Sequence, residues 1–309
     1  MIAEMLSRLS GYSGTYQLYG ESAFADTVRT GLPWSDMPNA ACFAGNRKYL
    51  YRALENDNIR TIFLSSQVVV ADKALKEISA SRGVVLSSKA EELFYLVHNA
   101  PLHRVSGAAD VFVEPFVHPT AEIHETAVLA KNVHIAEHVT VGPYAVLHDN
   151  TVVGAGTRIG SHVVVGEDGL FPRIIQGKKT HIVHFGGVRI GKDVRIQAQS
   201  TVASAVYHGG FTVVGDECHL GFGVSIGHDA CVGDRCTLSS KALIAGRTQV
   251  SSDCWIGAGA LVSNSLHLGE AASVKIGAVV VSDVADGKDV SGNFAVDHKL
   301  NIARMVKKK

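Results

Sequence analysis

A ruler marked every six residues runs through most of this chain, and no other feature restricts its fold so severely. Every sixth residue from Val117 to Val165, then Ile190, Ile196 and Val202, then every sixth from Val214 to Val274, is Val, Ile or Leu. Four residues after most marks stands a small or β-branched residue, as at Ala121, Val133, Ala145 and Thr157. In an extended strand that residue faces the same way as the mark two positions on. Gly, Asn and Asp crowd the positions between, as at Gly142, Asn150, Gly215 and Asp234, where turns belong. A fixed short period over so many units describes a solenoid. Six residues supply one short strand and one bend, and three such units close a triangular coil of eighteen. Parallel strands then stack at roughly 4.8 Å per coil, with the aliphatic columns filling the prism.

This pattern resembles the hexapeptide-repeat acyltransferases. The resemblance implies a left-handed parallel β-helix; general crossover rules alone would favour the right hand. The expected architecture is a small α/β domain over residues 1–105, a β solenoid over 106–285, and a tail over 286–309 with a short C-terminal helix. Residues 1–105 show no hexads. They alternate helix-like pieces (48–56, 71–79 and 89–98) with an apolar, β-rich run at 61–70, which reads as α/β.

Composition narrows the function classes. Lysine plus arginine and aspartate plus glutamate both number 29, so the formal charge is zero and nothing suggests a nucleic-acid footprint. No apolar run reaches the ~20 residues that span a bilayer. The opening residues lack the apolar core and cleavage site of a secretory leader, so the expected home is the cytoplasm. Five cysteines do not suggest a disulfide framework. Cys218, Cys236 and Cys254 stand eighteen residues apart in the small inward column and read as stacked core residues.

Within the N-terminal domain, the segment containing Phe43, Asn46 and Tyr49 resembles the uridine-binding domain of the LpxD family, the UDP-3-O-acylglucosamine N-acyltransferases of lipid A synthesis. The resemblance implies that these three residues hold uracil. An aromatic face with amide hydrogen bonds suits a flat polar ring. On the residues alone, Phe43 and Tyr49 would serve equally as core aromatics. Arg47 and Lys48 are placed to approach phosphates, or to be solvated on a surface turn. LpxD-family sequences also interrupt the repeat where this chain does, at 166–187, after an Asp-Gly followed by an aromatic-containing segment. Asp168, Gly169 and Phe171 stand in those places, on a loop expected to reach a neighbouring subunit and wall in a ligand. A second, smaller break lies at 207–211.

Most of the fifteen histidines occupy outward or turn positions and read as solvated. His228 lies instead in a segment resembling the family's catalytic His-Asn motif, two residues past the Ile226 mark. Acyl transfer from a thioester to an amine needs a proton acceptor active near neutrality and a fixed donor for the oxyanion. The resemblance implies His228 as the base and Gly246, one coil on, as the oxyanion donor. This chain departs from the family in carrying Asp229 in place of the Asn; a carboxylate there can orient the imidazole or favour its protonated form. It also lacks the family's Asp-Arg pair near Ala203 and Ser204. Ala278 and Val280 stand where the family lines its acyl groove, although an apolar run closing a prism needs no such role.

The expected function is N-acyl transfer from an acyl thioester, on acyl carrier protein or coenzyme A, to a UDP-linked amino sugar, as in lipid A or surface polysaccharide synthesis. No bound cofactor and no metal are expected. The family implies a homotrimer with active sites between prisms, and the lysines at 307–309 offer an acidic carrier protein a dock. Two other classes are a non-catalytic nucleotide-sugar-binding scaffold and a zinc enzyme like the γ-class carbonic anhydrases. The latter is prompted by His181, His184 and His208, whose spacing does not match that family's.

Overall fold

Each hexad becomes one short strand and one corner, and each strand pairs with its counterpart a coil away. In the computed structural model, which describes residues 2–25, 27, 29–100, 113–292 and 299, Val141 lies beside Ile159 and Leu238 beside Ile256. Three parallel sheets of nine, eight and eight strands form the faces of a left-handed parallel β-helix. The amides of one coil donate to the carbonyls of the next, as from Gly142 N to Ile159 O and from Gly227 N to Ile244 O, both 2.8 Å. The marks and the small column merge into one apolar core from Val133 to Val284. Val117, Ile123 and Leu129 are only partly covered, since they belong to the first coil among the described residues. Cys218, Cys236 and Cys254 are buried in this core, each thiol donating to a backbone carbonyl at 3.0–3.2 Å.

From His138 onward, most corners are built on a residue in the left-handed region. Asp229, Arg235, Lys241, Arg247 and Asp253 have φ between 55° and 63°. Most side chains resist this conformation, which Asn and Asp bear best. Corner residues eighteen apart therefore stand directly above one another. The last coil runs past residue 285, since Asp289–Val290 pairs with Ser273–Val274. The junction at 106–112 and, apart from Lys299, the expected tail helix at 297–309 lie outside the described residues.

The N-terminal domain is a five-stranded sheet in the order β1 (Tyr16–Tyr19), β5 (Gly83–Ser87), β4 (Ile59–Ser65), β3 (Ala40–Ala44), β2 (Arg29–Thr30). All neighbours are parallel except β1 with β5. Both faces are covered. Ile62 and Leu64 meet the apolar sides of α2 (Arg47–Leu54) and α3 (Asp72–Ser79). Phe63 between them points the other way, toward α1 (Ile2–Arg8) and α4 (Ala90–Asn99).

Both interruptions of the ruler fasten this domain to the prism. Residues 166–187 form a hairpin of Pro172–Ile175 and Lys178–His181, turning at Gln176 and Gly177, both with positive φ. Arg173 pairs with Glu91 of α4 at 3.2 Å, and Gln176 N donates to Glu92. Phe171, Ile175 and Ile182 enter the same apolar cluster as Phe63 and Phe94, together with Val206 and Tyr207 at the start of the second interruption. Tyr95 and Tyr207 share a buried hydroxyl–hydroxyl hydrogen bond of 2.9 Å. Burial and the neighbouring Tyr95 hold the Tyr207 phenol well above its ordinary pKa, so it stays neutral. Within one chain, then, the hairpin packs on its own N-terminal domain, with Leu170 and Ile174 left exposed.

Candidate active site

His228 occupies the corner after the strand Ser225–Ile226, and its imidazole is fixed on every side. Nδ1 lies 2.8 Å from Asp229 Oδ2. A carboxylate only accepts, so Nδ1 donates, which leaves Nε2 as the ring nitrogen turned to the cavity. Asp229 is itself held, its Oδ1 accepting from Val206 N at 3.1 Å and its N–H donating to Thr212 Oγ1 at 2.9 Å. The ring packs against Phe171 (centroids 4.9 Å apart) and edge-on against His184 (5.5 Å). Its Nε2 faces Gly246, where an added Cβ would stand 2.6 Å from that nitrogen. The Gly246 amide lies over Gly227, which has no Cβ to obstruct it, and donates to no other group among the described residues.

Beneath this pair, the residues from the first interruption form a floor. Asp168 Oδ2 accepts from His181 Nε2 at 2.9 Å and from His184 N at 3.3 Å, which braces the hairpin. Gly169 lies where a Cβ would press on both His184 and His228 at 3.2–3.3 Å. His184 Nδ1 lies 2.9 Å from the Ser204 carbonyl and 3.3 Å from Gly169 N, the shorter contact favouring a proton on Nδ1. Burial pushes the pKa of His184 down, and its buried Nε2 meets no partner. Asp168 therefore positions the site, whereas Gly169 and Phe171 line its cavity.

Two adjoining cavities open here. One, of about 540 Å³, is lined by His228, Gly246, Phe171, Leu243 and Asn264. The other, of about 320 Å³, is lined by Phe43, Tyr49, Trp34 and Tyr95. Arg173, Arg247 and Ser265 line both. Phe43 and Tyr49 thus stand together in a pocket that leads to His228. Asn46 does not join them. Its Oδ1 caps α2 by accepting from Tyr49 N at 2.9 Å, and its exposed side chain is absent from the lining. The Asn that the sequence suggests as a uracil contact is here a helix N-cap.

The sequence reading missed Trp34, whose ring lies 5.7 Å from that of Tyr49, and both arginines. A signal for Arg247 was present: it stands eighteen residues after Asp229, one coil above an opposite charge. Ala278 and Val280 require correction as groove residues. They are 3% and 6% exposed and sit in the prism core, while Val279 and Val281 hold the outer face. His181, His184 and His208 do not converge: the first pairs with Asp168, the second with Ser204, and the third stacks on Phe185 at 4.4 Å. Among the described residues no three His, Cys, Asp or Glu side chains are grouped to hold a metal. No helix among them is long and apolar enough to cross a membrane.

Residues 132–167 match the family described as bacterial transferase hexapeptide (six repeats). No curated protein sequence matches the chain. Among solved structures, the chain is similar to a UDP-N-acetylglucosamine acyltransferase from Campylobacter jejuni at 21% identity, over 62% of this chain and 82% of that one, with a TM-score of 0.46. A UDP-N-acetylglucosamine acyltransferase from Francisella novicida is 22% identical over 61% and 73% of the two chains, with a TM-score of 0.45. The acetyltransferase domain of PglB from Neisseria gonorrhoeae is 16% identical over 83% and 97%, with a TM-score of 0.26.

Proposed function

We propose that this chain is a hexapeptide-repeat acyltransferase that moves an acyl group from a thioester to the amine of a UDP-linked amino sugar. The observation that carries the reading is the corner at His228. An imidazole tethered at Nδ1 by Asp229 presents Nε2 to a cavity beside an unengaged backbone amide. In the reaction the amine nitrogen bonds to the thioester carbonyl carbon while Nε2 takes its proton. The Gly246 amide meets the developing oxyanion. Collapse of the intermediate breaks the carbon–sulfur bond, and the proton passes from the imidazolium to the departing thiolate. Asp229 keeps the imidazole in the required tautomer and stabilises the cation as it forms.

The aromatic pocket of Phe43, Tyr49 and Trp34 would take the uracil. The donor would be acyl carrier protein or coenzyme A, and the setting cytoplasmic synthesis of lipid A or surface polysaccharide. A homotrimer fits the outward column Leu243, Leu261, Val279, which is exposed along one sheet face and begins at the His228 cavity. A second prism seated there would wall the cavity, and the mass of the protein in solution tests this. Asp229 favours a second reading that changes only the acceptor atom. A hydroxyl must lose its proton as it attacks, and a carboxylate-backed imidazole suits that demand. Lability of the product to hydroxylamine distinguishes an ester from an amide.

The deciding experiment is binding of UDP-N-acetylglucosamine, UDP and the nucleotide-free sugar to the wild type and to Phe43→Ala. Uridine-dependent binding that the variant loses, followed by acyl-donor turnover that His228→Ala lowers about 10²- to 10⁴-fold, is expected. Absence of uridine-dependent binding would refute the acceptor class. Turnover that survives loss of His228 would refute the mechanism.

A further inference from the structure

The guanidinium of Arg247 is a cation whose obvious partner is otherwise engaged. Elsewhere on this prism, an arginine and an aspartate stacked one coil apart close on each other: Arg235 meets Asp253 with two bonds of 2.8 and 2.7 Å. Arg247 and Asp229 stand one coil apart in the reverse order, arginine above aspartate, and the Arg247 Nε remains 3.9 Å from the carboxylate. The Asp229 oxygens already accept from His228 Nδ1 and Val206 N. The Arg247 Nε is buried without a hydrogen-bond partner, and the group reaches Tyr207 Oη only at a long 3.4 Å. The guanidinium lies over the ring of Phe171 at 4.7 Å from its centroid, and that of Arg173 lies over the same ring at 3.9 Å.

We propose that Arg247 and Arg173, seated on Phe171 between the aromatic pocket and the His228 cavity, bind the phosphates of the substrate. This rests on the nucleotide-sugar reading and gives that substrate its anionic contact. Both arginines line both cavities, so any ligand spanning from the aromatic pocket to His228 passes them. Planar guanidinium forks match phosphate oxygens two at a time. Two acids, Glu91 and Asp229, also line the aromatic pocket, but neither occupies the fork of Arg247. Glu91 is half exposed and holds Arg173 by its Nε, and Asp229 has both oxygens accepting from other donors. Arg47 and Lys48, which the sequence offers for phosphates, are exposed and line neither cavity.

Phosphate at this place has two sources, the diphosphate of the acceptor or the phosphates of coenzyme A. Calorimetric titration separates them, using UDP against uridine and coenzyme A against pantetheine, on the wild type, Arg247→Met and Arg173→Met. The wild type should bind UDP more tightly than uridine. Arg247→Met should erode that advantage by roughly 10- to 100-fold, the range for a charge-assisted contact, with uridine affinity unchanged. Arg247-dependent binding of coenzyme A but not of UDP would keep the phosphate site while refuting the nucleotide-sugar reading. If neither phosphate-bearing ligand outbinds its phosphate-free counterpart, or if neither variant alters the difference, the proposal is overturned. Should Arg247→Met fail to fold, Arg247→Lys keeps the charge, loses the fork, and should still weaken UDP several-fold.

Discussion

Replacing Gly246 by alanine tests the His228 corner with one carbon atom. The new Cβ would stand 2.6 Å from His228 Nε2, 2.8 Å from Cε1 and 3.0 Å from Cδ2. Ordinary contact begins near 3.4 Å, so the imidazole must retreat by about 0.8 Å. It has little room to do so, because Phe171 and His184 pack against it and Asp229 holds Nδ1 at 2.8 Å. A shift of that size misaligns a charge-assisted hydrogen bond worth about 1.5–3 kcal/mol and moves the base out of line with the attacking nucleophile. A displacement near 1 Å typically costs about 10²-fold in rate. The backbone itself accepts alanine, since Gly246 is not among the positive-φ residues. The lower entropy of the unfolded alanine chain adds about 0.4–1 kcal/mol of stability. Gly246→Ala should therefore lower kcat/KM about 100-fold while Tm moves by no more than about 4 °C and UDP binding is retained. Thiol release from acyl-coenzyme A in the presence of a UDP-amino sugar, with a melting curve alongside, measures all of this. A folded variant with more than half the wild-type kcat/KM would refute both the tightness of the corner and the role of Nε2.

Two further predictions concern the edges of the site. Asn46→Ala should destabilise the protein by about 1 kcal/mol through loss of the α2 cap and leave UDP affinity nearly unchanged. Trp34→Ala should instead weaken UDP roughly 5- to 100-fold by removing a stacking surface; calorimetry and denaturant melts on the pair would show the reverse if Asn46 touches the base. His184 predicts a pH dependence of stability. Burial holds its folded-state pKa below the ordinary value of 6.5, so below that pH the unfolded chain binds the proton more readily than the folded one. Stability should be full above about pH 6.5 and fall as the pH drops toward the folded-state pKa. The difference in Tm between about pH 7.5 and about pH 5.5 should shrink in His184→Gln, and an unchanged difference would show that folding does not lower the pKa of His184.

The prism was legible because its signal is periodic. A mark every six residues survives any local substitution, and the structure places those marks in one core from Ile135 upward. The same regularity located the corner of His228 and the stacking of Gly246 above it. What escaped were contacts made where the period fails. Nothing in the spacing says that the hairpin at 166–187 folds back on α4, or that Tyr207 reaches Tyr95. Trp34 lies far from the ruler in sequence, and only the packing of the N-terminal domain on the two interruptions brings it near Arg247. Asn46 shows one residue answering to two patterns. Its type and position satisfied a ligand-binding pattern, yet an Asn three residues before a tyrosine near a helix start also satisfies a capping pattern, and the cap is what forms. Ala278 and Val280 were misplaced by one position in parity: along a two-residue strand, alternate side chains face opposite sides, and these two face inward.

A solenoid can be regarded as a crystal in one dimension, with each coil a unit cell and each corner equivalent to the next by translation. Perfect repetition would leave no corner chemically distinct, since every one would see the same neighbours. The two interruptions act as lattice defects. By folding residues 166–187 and the stretch between the Val202 and Val214 marks against the same edge, they give a single corner a floor of Phe171, a clamp through Val206 and an aromatic annex from another domain. Selectivity in such a protein is then a property of its defects. Inserting a whole coil far from them should lengthen the prism and leave the site intact, whereas shifting either defect by one coil would carry its contacts to a corner that has no histidine to receive them.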